Sequence, residues 1–327
     1  MALLNPPDIL PEAMRFLVRA LLAVRERELD RHELINLVAP PGLTEAMKSV
    51  AGGDADPSTA DPDDLRTGGS IIAGRSLDGL RTLGLVEQSG DRVRLAGVAA
   101  NWKSPSDASP DSMCRVLLDT VIQMGASDAS SRGVGDLIQA LVLLHTAEQP
   151  LRPFDTFESA TEASRGRSFA SRQAEVLGED RVDNWPVPNR QQWLPFRRWA
   201  SYLGLARSVG ATGLIPDASE ALLRRLPAMT PGDYAVRDFI GRCASVVPIL
   251  DGGALQTGHD PLYEGDHAVL SGGLSVSLLQ LEADGFVKLD QRSDASGRTL
   301  RLRPDGSADR VVTTVIWQQT PIRRGGR

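Results

Sequence analysis

Arginines are the residues of this chain whose type and spacing best suit a defined chemistry. Arg75 and Arg81 lie in a stretch with helical spacing of its leucines, and Arg92 and Arg94 alternate with apolar residues just after it. A guanidinium group binds phosphate oxygens through parallel N–H donors. The arrangement predicts contacts with the phosphates of DNA, and a solvated protein surface is the alternative interpretation.

A second basic group lies in the middle of the chain and comprises Arg197, Arg198 and Arg207. It stands beside Trp193 and Trp199, whose rings could flank bound phosphates as a stacking surface. Packing of both rings in a core is the alternative for the tryptophans. A solvated helix face is the alternative for the arginines.

The third group combines polar residues of a helix with basic residues of the stretches that follow it. We predict that Ser275, Ser277 and Gln280 point outward, and that the basic residues after them contact DNA. These are Lys288, Arg292, Arg298, Arg301 and Arg303. An arginine-rich tail follows and is interpreted either as an arm that binds the DNA backbone or as a solubilising terminus.

Motifs that would indicate catalysis or a cofactor are incomplete. The segment GSIIAGRS at 69–76 departs from the phosphate-loop pattern because Arg75 replaces its lysine, and the residues before it are polar. His259, Asp260, Asp266 and His267 could ligate a metal, but nothing in the sequence fixes their spacing. We therefore expect no metal, no cofactor and no enzymatic activity.

The elements that position these residues follow one repeated pattern. Leucines at helical spacing lead to Gly84, and two strand-like stretches around a turn at Gly90 follow. The LGL of 83–85 recurs at 203–205, again after a helix, and Gly285 ends a third helix before a third strand. This pattern is typical of the second half of a winged helix.

The complete prediction is an α+β, mostly helical protein of tandem winged-helix units with small β-hairpin wings. Its domains are an N-terminal winged helix at 1–103, a helical middle domain at 112–226 whose second half resembles a winged helix, and a C-terminal winged helix at 228–327. Residues 51–67 form a solvated loop in this prediction. In the third domain, a helix starts at Thr230, and stretches 286–290 and 298–304 pair as the wing.

Charge limits the surface available for DNA. The net charge is −6, so binding would depend on local basic patches. Residues 1–105 contain 12 lysines and arginines against 15 acidic residues, which leaves DNA contact and protein contact equally open for the first unit. The second and third units are locally more basic, so we expect the main DNA contacts there, above all in the third.

Two further features of the sequence indicate the cellular compartment of the protein. Cys114 and Cys243 lie far apart in apolar helical stretches, which favours two buried thiols in a reducing cytosol. The chain contains no apolar run of membrane-spanning length, and its first residues lack the basic segment of a signal peptide. We expect a cytoplasmic protein without membrane contact.

Three segments together resemble the DpdG family: MALLNPP at 1–7, WASYLGLA at 199–206 followed by LIPDASEA at 214–221, and the closing winged helix. The resemblance implies an accessory protein of bacterial gene clusters that insert deazaguanine derivatives into DNA and act with defence-type helicases and nucleases. It implies no catalytic residue.

The favoured interpretation is a DNA-binding or DNA-enzyme-docking subunit of a bacterial DNA-modification or anti-phage defence system. Its partners would be double-stranded DNA, bound with little sequence preference, and other proteins of a multi-subunit complex. A protein–protein scaffold without DNA contact is the first alternative, and a winged-helix transcriptional regulator is the second.

Overall fold

The chain is α+β, with helices predominating and several small sheets. The computed structural model describes residues 2–40, 68–127, 133–147, 149–157, 167–226, 229–259, 268–292, 296–302 and 309–320. Two compact units are present, Met1–Thr120 and Val121–Arg327. The division into three domains stays a prediction, and the predicted loop at 51–67 lies outside the described residues. Within the described ranges, no helix combines the length and apolarity needed to cross a membrane.

Within its described residues the first unit contains three helices, and local sequence accounts for the starts of the first two. Pro11 takes the first position of α1, where its missing N–H is not needed. The carboxylate of Asp30 caps α2 by accepting the amides of His32 and Glu33 at 2.8 and 3.2 Å. The three helices are α1 (Pro11–Ala23), α2 (Arg31–Val38) and α3 (Gly68–Thr82), and α1 packs against α3.

A three-stranded antiparallel sheet completes this unit. Its central strand β3 pairs with β1 on one side and β2 on the other, placing Arg94 opposite both Glu28 and Glu87. The strands are β1 (Glu28–Asp30), β2 (Val86–Ser89) and β3 (Arg92–Leu95). A short 3-10 helix (Gly97–Asn101) leads to α4 (Pro110–Ser127), within which the boundary between the two units falls.

The second unit continues with helices and a four-stranded sheet. Strands β6 and β7 form the predicted hairpin, and β4 pairs antiparallel with β7 and parallel with β5. The elements are α5 (Gly135–His145), β4 (Phe154–Thr156), β5 (Arg167–Ser168), α6 (Phe169–Leu177), a 3-10 helix (Glu179–Asn184), α7 (Arg190–Tyr202), β6 (Ala206–Val209), β7 (Gly213–Pro216) and α8 (Ser219–Arg225).

The last part of the second unit contains two small sheets of three strands each. Their orders are β10-β13-β8 and β12-β11-β9. The elements are β8 (Gly232–Ala235), α9 (Val236–Val246), α10 (Ala254–His259), β9 (Val269–Leu270), α11 (Gly272–Ala283), β10 (Val287–Asp290), β11 (Arg298–Leu300), β12 (Arg310–Val312) and β13 (Thr314–Trp317).

The same turn joins a helix to a strand at three places. Gly84 has a φ of 67°; its amide donates to the Arg81 carbonyl at 3.0 Å, and the next amide, of Leu85, donates to Leu80 at 2.9 Å. This pair of bonds is a Schellman motif, whose left-handed residue favours glycine. In the second copy the backbone amides of Gly204 and Leu205 donate to the carbonyls of Ser201 and Ala200. In the third copy the amides of Gly285 and Phe286 donate to the carbonyls of Glu282 and Leu281. The predicted glycine stops are confirmed.

The strand that returns from each turn is also equivalent in the three copies. Just beyond it, an amide donates back to the residue after the glycine: Ala96 to Leu85, Asp217 to Leu205 and Gln318 to Phe286. In each sheet this return strand is flanked by the strand after the turn and by a strand from earlier in the chain. The repeated unit is therefore helix, glycine turn, strand and return strand.

Two predictions for the third copy are wrong. Gly232–Ala235 is the strand β8 rather than the start of a helix, because it pairs with β13. The return strand is β13 and not β11: β10 pairs with β13, whereas β11 pairs with β12 and β9. The β-branched segment that ends in β13 buries Val315 and Trp317, so it takes the central place in the sheet.

The glycine turn predicts opposite effects of alanine at two neighbouring sites. A Cβ at Gly84 would meet no atom within 4 Å, so Gly84→Ala destabilises the first unit by the backbone cost alone, about 1 kcal/mol. Gly74→Ala, inside α3, has only ordinary contacts and stabilises it by about 0.5 kcal/mol. Urea unfolding measures both, and equal signs for the two variants would contradict the assignment.

His145 secures the second copy of the turn from the side of α5. Its Nε2–H donates to the carbonyl of Leu205 at 2.8 Å, and Nδ1 has no partner within the described part of the chain. The backbone of Gly273 approaches so closely that a Cβ there would lie 2.2 Å from Nδ1. Burial lowers the pKa of His145 from 6.5 to about 4, because a proton on Nδ1 would find no acceptor.

This imidazole makes stability depend on pH in a defined window. Since the folded pKa lies below the unfolded one, stability is complete above pH 6.5 and falls as the pH is lowered towards 4. The full loss is about 3 kcal/mol. Urea unfolding at pH 7.5 and 4.5 should show a smaller pH effect for His145→Gln than for wild type. The exposed His32 supplies the control, and His32→Gln should retain the wild-type difference.

Candidate nucleic-acid interface

The outer face of α3 carries two arginines without a carboxylate partner in the described chain. The exposed and half-exposed residues Ile71, Arg75, Asp78, Arg81 and Thr82 lie within an arc of about 120°. Asp78 pairs with Arg31 at 3.3 Å, so its charge is already balanced. This face is therefore locally positive, although its unit has an acidic composition.

The arginines of the first wing are both paired. Arg92 lies 3.8 Å from Glu28, and Arg94 lies 2.5 Å from Glu87 across the β2–β3 pair. Both arginine side chains are more than half exposed, and Glu28 and Glu87 are 39% and 52% exposed, so each pair contributes little to stability and can open. The pairing cancels the positive charge that the sequence alone suggests for this wing.

Among the helices α3, α7 and α11, which precede the three glycine turns, α7 has the most basic outer face. Asn189 caps the helix by accepting the amides of Gln191 and Gln192, and no residue of α7 is acidic. The arc opposite the core spans about 120°. It contains Arg190, Gln191, Leu194, Arg197, Arg198 and Ser201.

The three arginines of this face differ in exposure and in hydrogen bonding. Arg190 and Arg198 are exposed and have no partner in the described residues. Arg197 is half-buried and donates from Nη2 to the carbonyl of Ala211 at 3.0 Å, which ties α7 to the β6–β7 turn. Burial lowers the pKa of Arg197. Arg190 was absent from the predicted site, although its spacing of seven residues from Arg197 places both on one helical face.

The aromatic residues of α7 do not form a stacking surface for bases. Trp193 is 6% exposed and Trp199 is fully buried. Phe169 stacks on Trp193 at 5.2 Å and on Phe196 at 5.1 Å between ring centroids. The stacking hypothesis is therefore wrong and core packing is correct, because these rings occupy the inner face of an amphipathic helix.

Arg207 on β6 has internal partners. Its guanidinium lies 2.7 Å from the buried carboxylate of Asp217 and donates to Gln280 at 3.0 Å. Asp217 also accepts the amide of Ser219 at the start of α8. These contacts give Arg207 a structural role, and its predicted DNA contact stays a prediction.

The predicted outward orientation of Ser275 and Ser277 is wrong, since both are fully buried. Ser277 donates to the Gly273 carbonyl and accepts the amide of Ala218, while Ser275 accepts the amide of Arg301. The physical reason is that α11 packs against β7, α5 and α8, so more than its leucine face is covered. Gln280 is half-buried.

The basic residues that follow α11 lie in different surroundings. Lys288 is exposed, whereas Arg292 pairs with Asp233 at 2.6 Å and Asp290 at 3.7 Å. Arg298 and Arg301 are half-buried. Arg303 and the arginine-rich tail lie outside the described residues, so their predicted DNA contact is a prediction only.

The described histidine and cysteine residues that were considered for metal binding or catalysis have other partners or are buried. His259 bonds through Nδ1 to the Leu255 carbonyl at 2.8 Å, and Asp260, Asp266 and His267 lie outside the described residues. Within the described residues, no three His, Cys, Asp or Glu side chains form a cluster suited to a metal ion. Cys114 and Cys243 are buried thiols outside any disulfide, as predicted, and burial raises the pKa of Cys243.

Comparison with known proteins identifies the family. The model of the DpdG-like family matches residues 1–295, so the chain belongs to that family and the resemblance seen in the sequence is confirmed. No curated protein and no solved structure matches the chain.

Proposed function

We propose that this member of the DpdG-like family is a non-enzymatic accessory subunit of a bacterial DNA-modification or defence system, and that it binds duplex DNA through the outer face of α7. One observation carries the proposal: three arginines and no acidic side chain share that face. Family membership supports the link to DNA modification.

The order of elements supports a tandem winged-helix architecture as part of this proposal. In the first unit the order is α1, β1, α2, α3, β2 and β3, with β3 central in the sheet. The third helix of a winged helix enters the major groove in DNA-binding members of the class. In the second copy α7 holds that place, because it precedes the glycine turn as α3 does.

The electrostatics of α7 favour weak sequence preference. Guanidinium groups neutralise phosphates and release counterions, which gives affinity that falls with salt and reads no base. The net charge of −6 opposes long-range attraction, so binding depends on this local patch. Affinity is therefore highest at low ionic strength.

Fluorescence anisotropy with a labelled duplex tests the proposal at two salt concentrations. Arg190→Ala combined with Arg198→Ala removes two exposed charges from α7 and should weaken binding about tenfold at low salt. It should also reduce the slope of log K against log salt by about 1–2.

The matched control removes two charges from other exposed helix positions. Arg19 on α1 and Arg115 on α4 are exposed, so Arg19→Ala with Arg115→Ala produces the same net charge. This control should bind DNA like wild type. Absence of duplex binding at low salt would refute DNA binding, and equal losses in the two double variants would refute the α7 site.

Protein docking is a second candidate, and the first unit favours it. The outer face of α3 places Ile71, which is 40% exposed, beside Arg75 and Arg81. An apolar residue flanked by arginines suits a protein interface, and the acidic composition of this unit weakens the case for DNA. A scaffold protein and a DNA-binding protein could both have this fold, so the fold alone does not separate the two roles.

The two roles separate in one experiment. If the first unit docks a protein and α7 binds DNA, Arg75→Ala with Arg81→Ala leaves duplex affinity close to wild type. A loss as large as that of the α7 variant would instead assign α3 to DNA.

A transcriptional regulator would bind one palindromic sequence as a dimer far more tightly than random duplex, which competition with unlabelled duplexes measures.

A further inference from the structure

A pocket of about 820 Å³ lies in the second unit between α9, α10, β9 and the start of β11. Apolar side chains of Ile240, Val269 and Leu270 form part of its wall. This volume lies within the range of about 300–1,000 Å³ that small-molecule sites occupy. The pocket contains none of the residues proposed above to contact DNA on α7.

The floor of the pocket is a tightly closed turn between α9 and α10. The Pro248 carbonyl accepts the amides of Leu255 and Gln256 at 3.0 and 3.1 Å. A Cβ at Gly253 would lie 2.2 Å from that same carbonyl oxygen, so only glycine fits there. The turn therefore holds Gln256 in one place.

Gln256 supplies a donor that the described protein does not use. Its side chain is 2% exposed and lines the pocket, and Oε1 accepts the amide of Gly252 at 2.9 Å. That bond fixes the orientation of the carboxamide, while Nε2 has no partner within the described residues. An unsatisfied buried N–H costs about 1–3 kcal/mol, so a ligand acceptor that reached Nε2 would be bound favourably.

Among the described residues, the charged lining of the pocket is positive on balance. Arg237 and Arg298 line the pocket without a carboxylate partner in the described chain, and Arg298 bonds only to the carbonyl of the adjacent Gly297. Asp251 contributes one negative charge and accepts the amide of Ser271 at 2.7 Å. Two guanidinium groups against one carboxylate favour an anionic ligand.

We propose that this pocket binds a nucleoside monophosphate, either free or as one residue of a DNA strand. Arg237 and Arg298 hold the phosphate, the apolar wall covers the base, and Nε2 of Gln256 donates to a carbonyl or ring nitrogen of the base. The assignment follows from size, charge and donor placement, and it does not depend on DNA binding by α7.

Isothermal titration calorimetry of the full-length protein tests this site with the four deoxynucleoside monophosphates and with inorganic phosphate. Wild type should bind at least one monophosphate with 1:1 saturation, and at least about tenfold more tightly than phosphate. Arg237→Gln, Arg298→Gln and Gln256→Leu should each weaken binding about tenfold. Arg242→Gln supplies the matched control, since Arg242 is exposed on the same helix but lies over Tyr234 outside the pocket.

Competition with a single-stranded oligonucleotide separates the two sources of the ligand. Displacement of the monophosphate assigns the pocket to a residue of a strand, and lack of displacement assigns it to a free nucleotide. The proposal is overturned if no monophosphate saturates wild type, if phosphate binds equally well, or if Arg242→Gln weakens binding as much as the pocket variants. Circular dichroism verifies that each variant folds. If a variant does not fold, the titration of the wild-type protein alone tests the proposal.

The α7 double variant keeps this test independent of the proposed function. Arg190→Ala with Arg198→Ala should bind the monophosphate like wild type while losing duplex affinity. Loss of duplex binding alone therefore reports on α7, and loss of monophosphate binding alone reports on the pocket.

Discussion

The glycine turn from helix to strand is the constraint on which the repeated architecture depends. It satisfies carbonyls at the end of the helix and fixes the direction of the strand that follows, because the left-handed residue reverses the chain within two peptide bonds. The carbonyl after the glycine then receives an amide from beyond the return strand. Helix, strand and return strand are thus connected by backbone groups alone, which leaves the outer side chains of each helix free to differ.

The copies differ in what the helix before the turn contacts. In α3 and α7 the outer arc is exposed and basic, whereas α11 packs against β7, α5 and α8. The same backbone unit therefore serves once as a core element and twice as a surface element. This division moves the expected DNA contacts from the third copy to the second, whose arginines lack acidic neighbours on the helix.

Local signals predicted what local interactions determine. Gly84 and Gly204 as helix stops and the β6–β7 hairpin follow from short-range chemistry and are present. The pairing of β10 with β13 could not be predicted from adjacency, because the return strand lies more than twenty residues away and competes with the nearer β11. The burial of Ser275 and Ser277 depends on contacts with Arg301, just after β11, and Ala218, just before α8, which no helical periodicity contains.

Photo-crosslinking at one residue tests whether the outer face of α7 contacts duplex DNA. Leu194 is 49% exposed at the centre of that face, and replacing it with a photoreactive benzoylphenylalanine places the probe beside the arginines. Leu151, 50% exposed in a loop of the same unit, is the matched position. DNA contact through α7 predicts crosslinks to duplex DNA from position 194 that are lost at high salt, with few from position 151. Equal crosslinking from both positions, or none from 194, would contradict it.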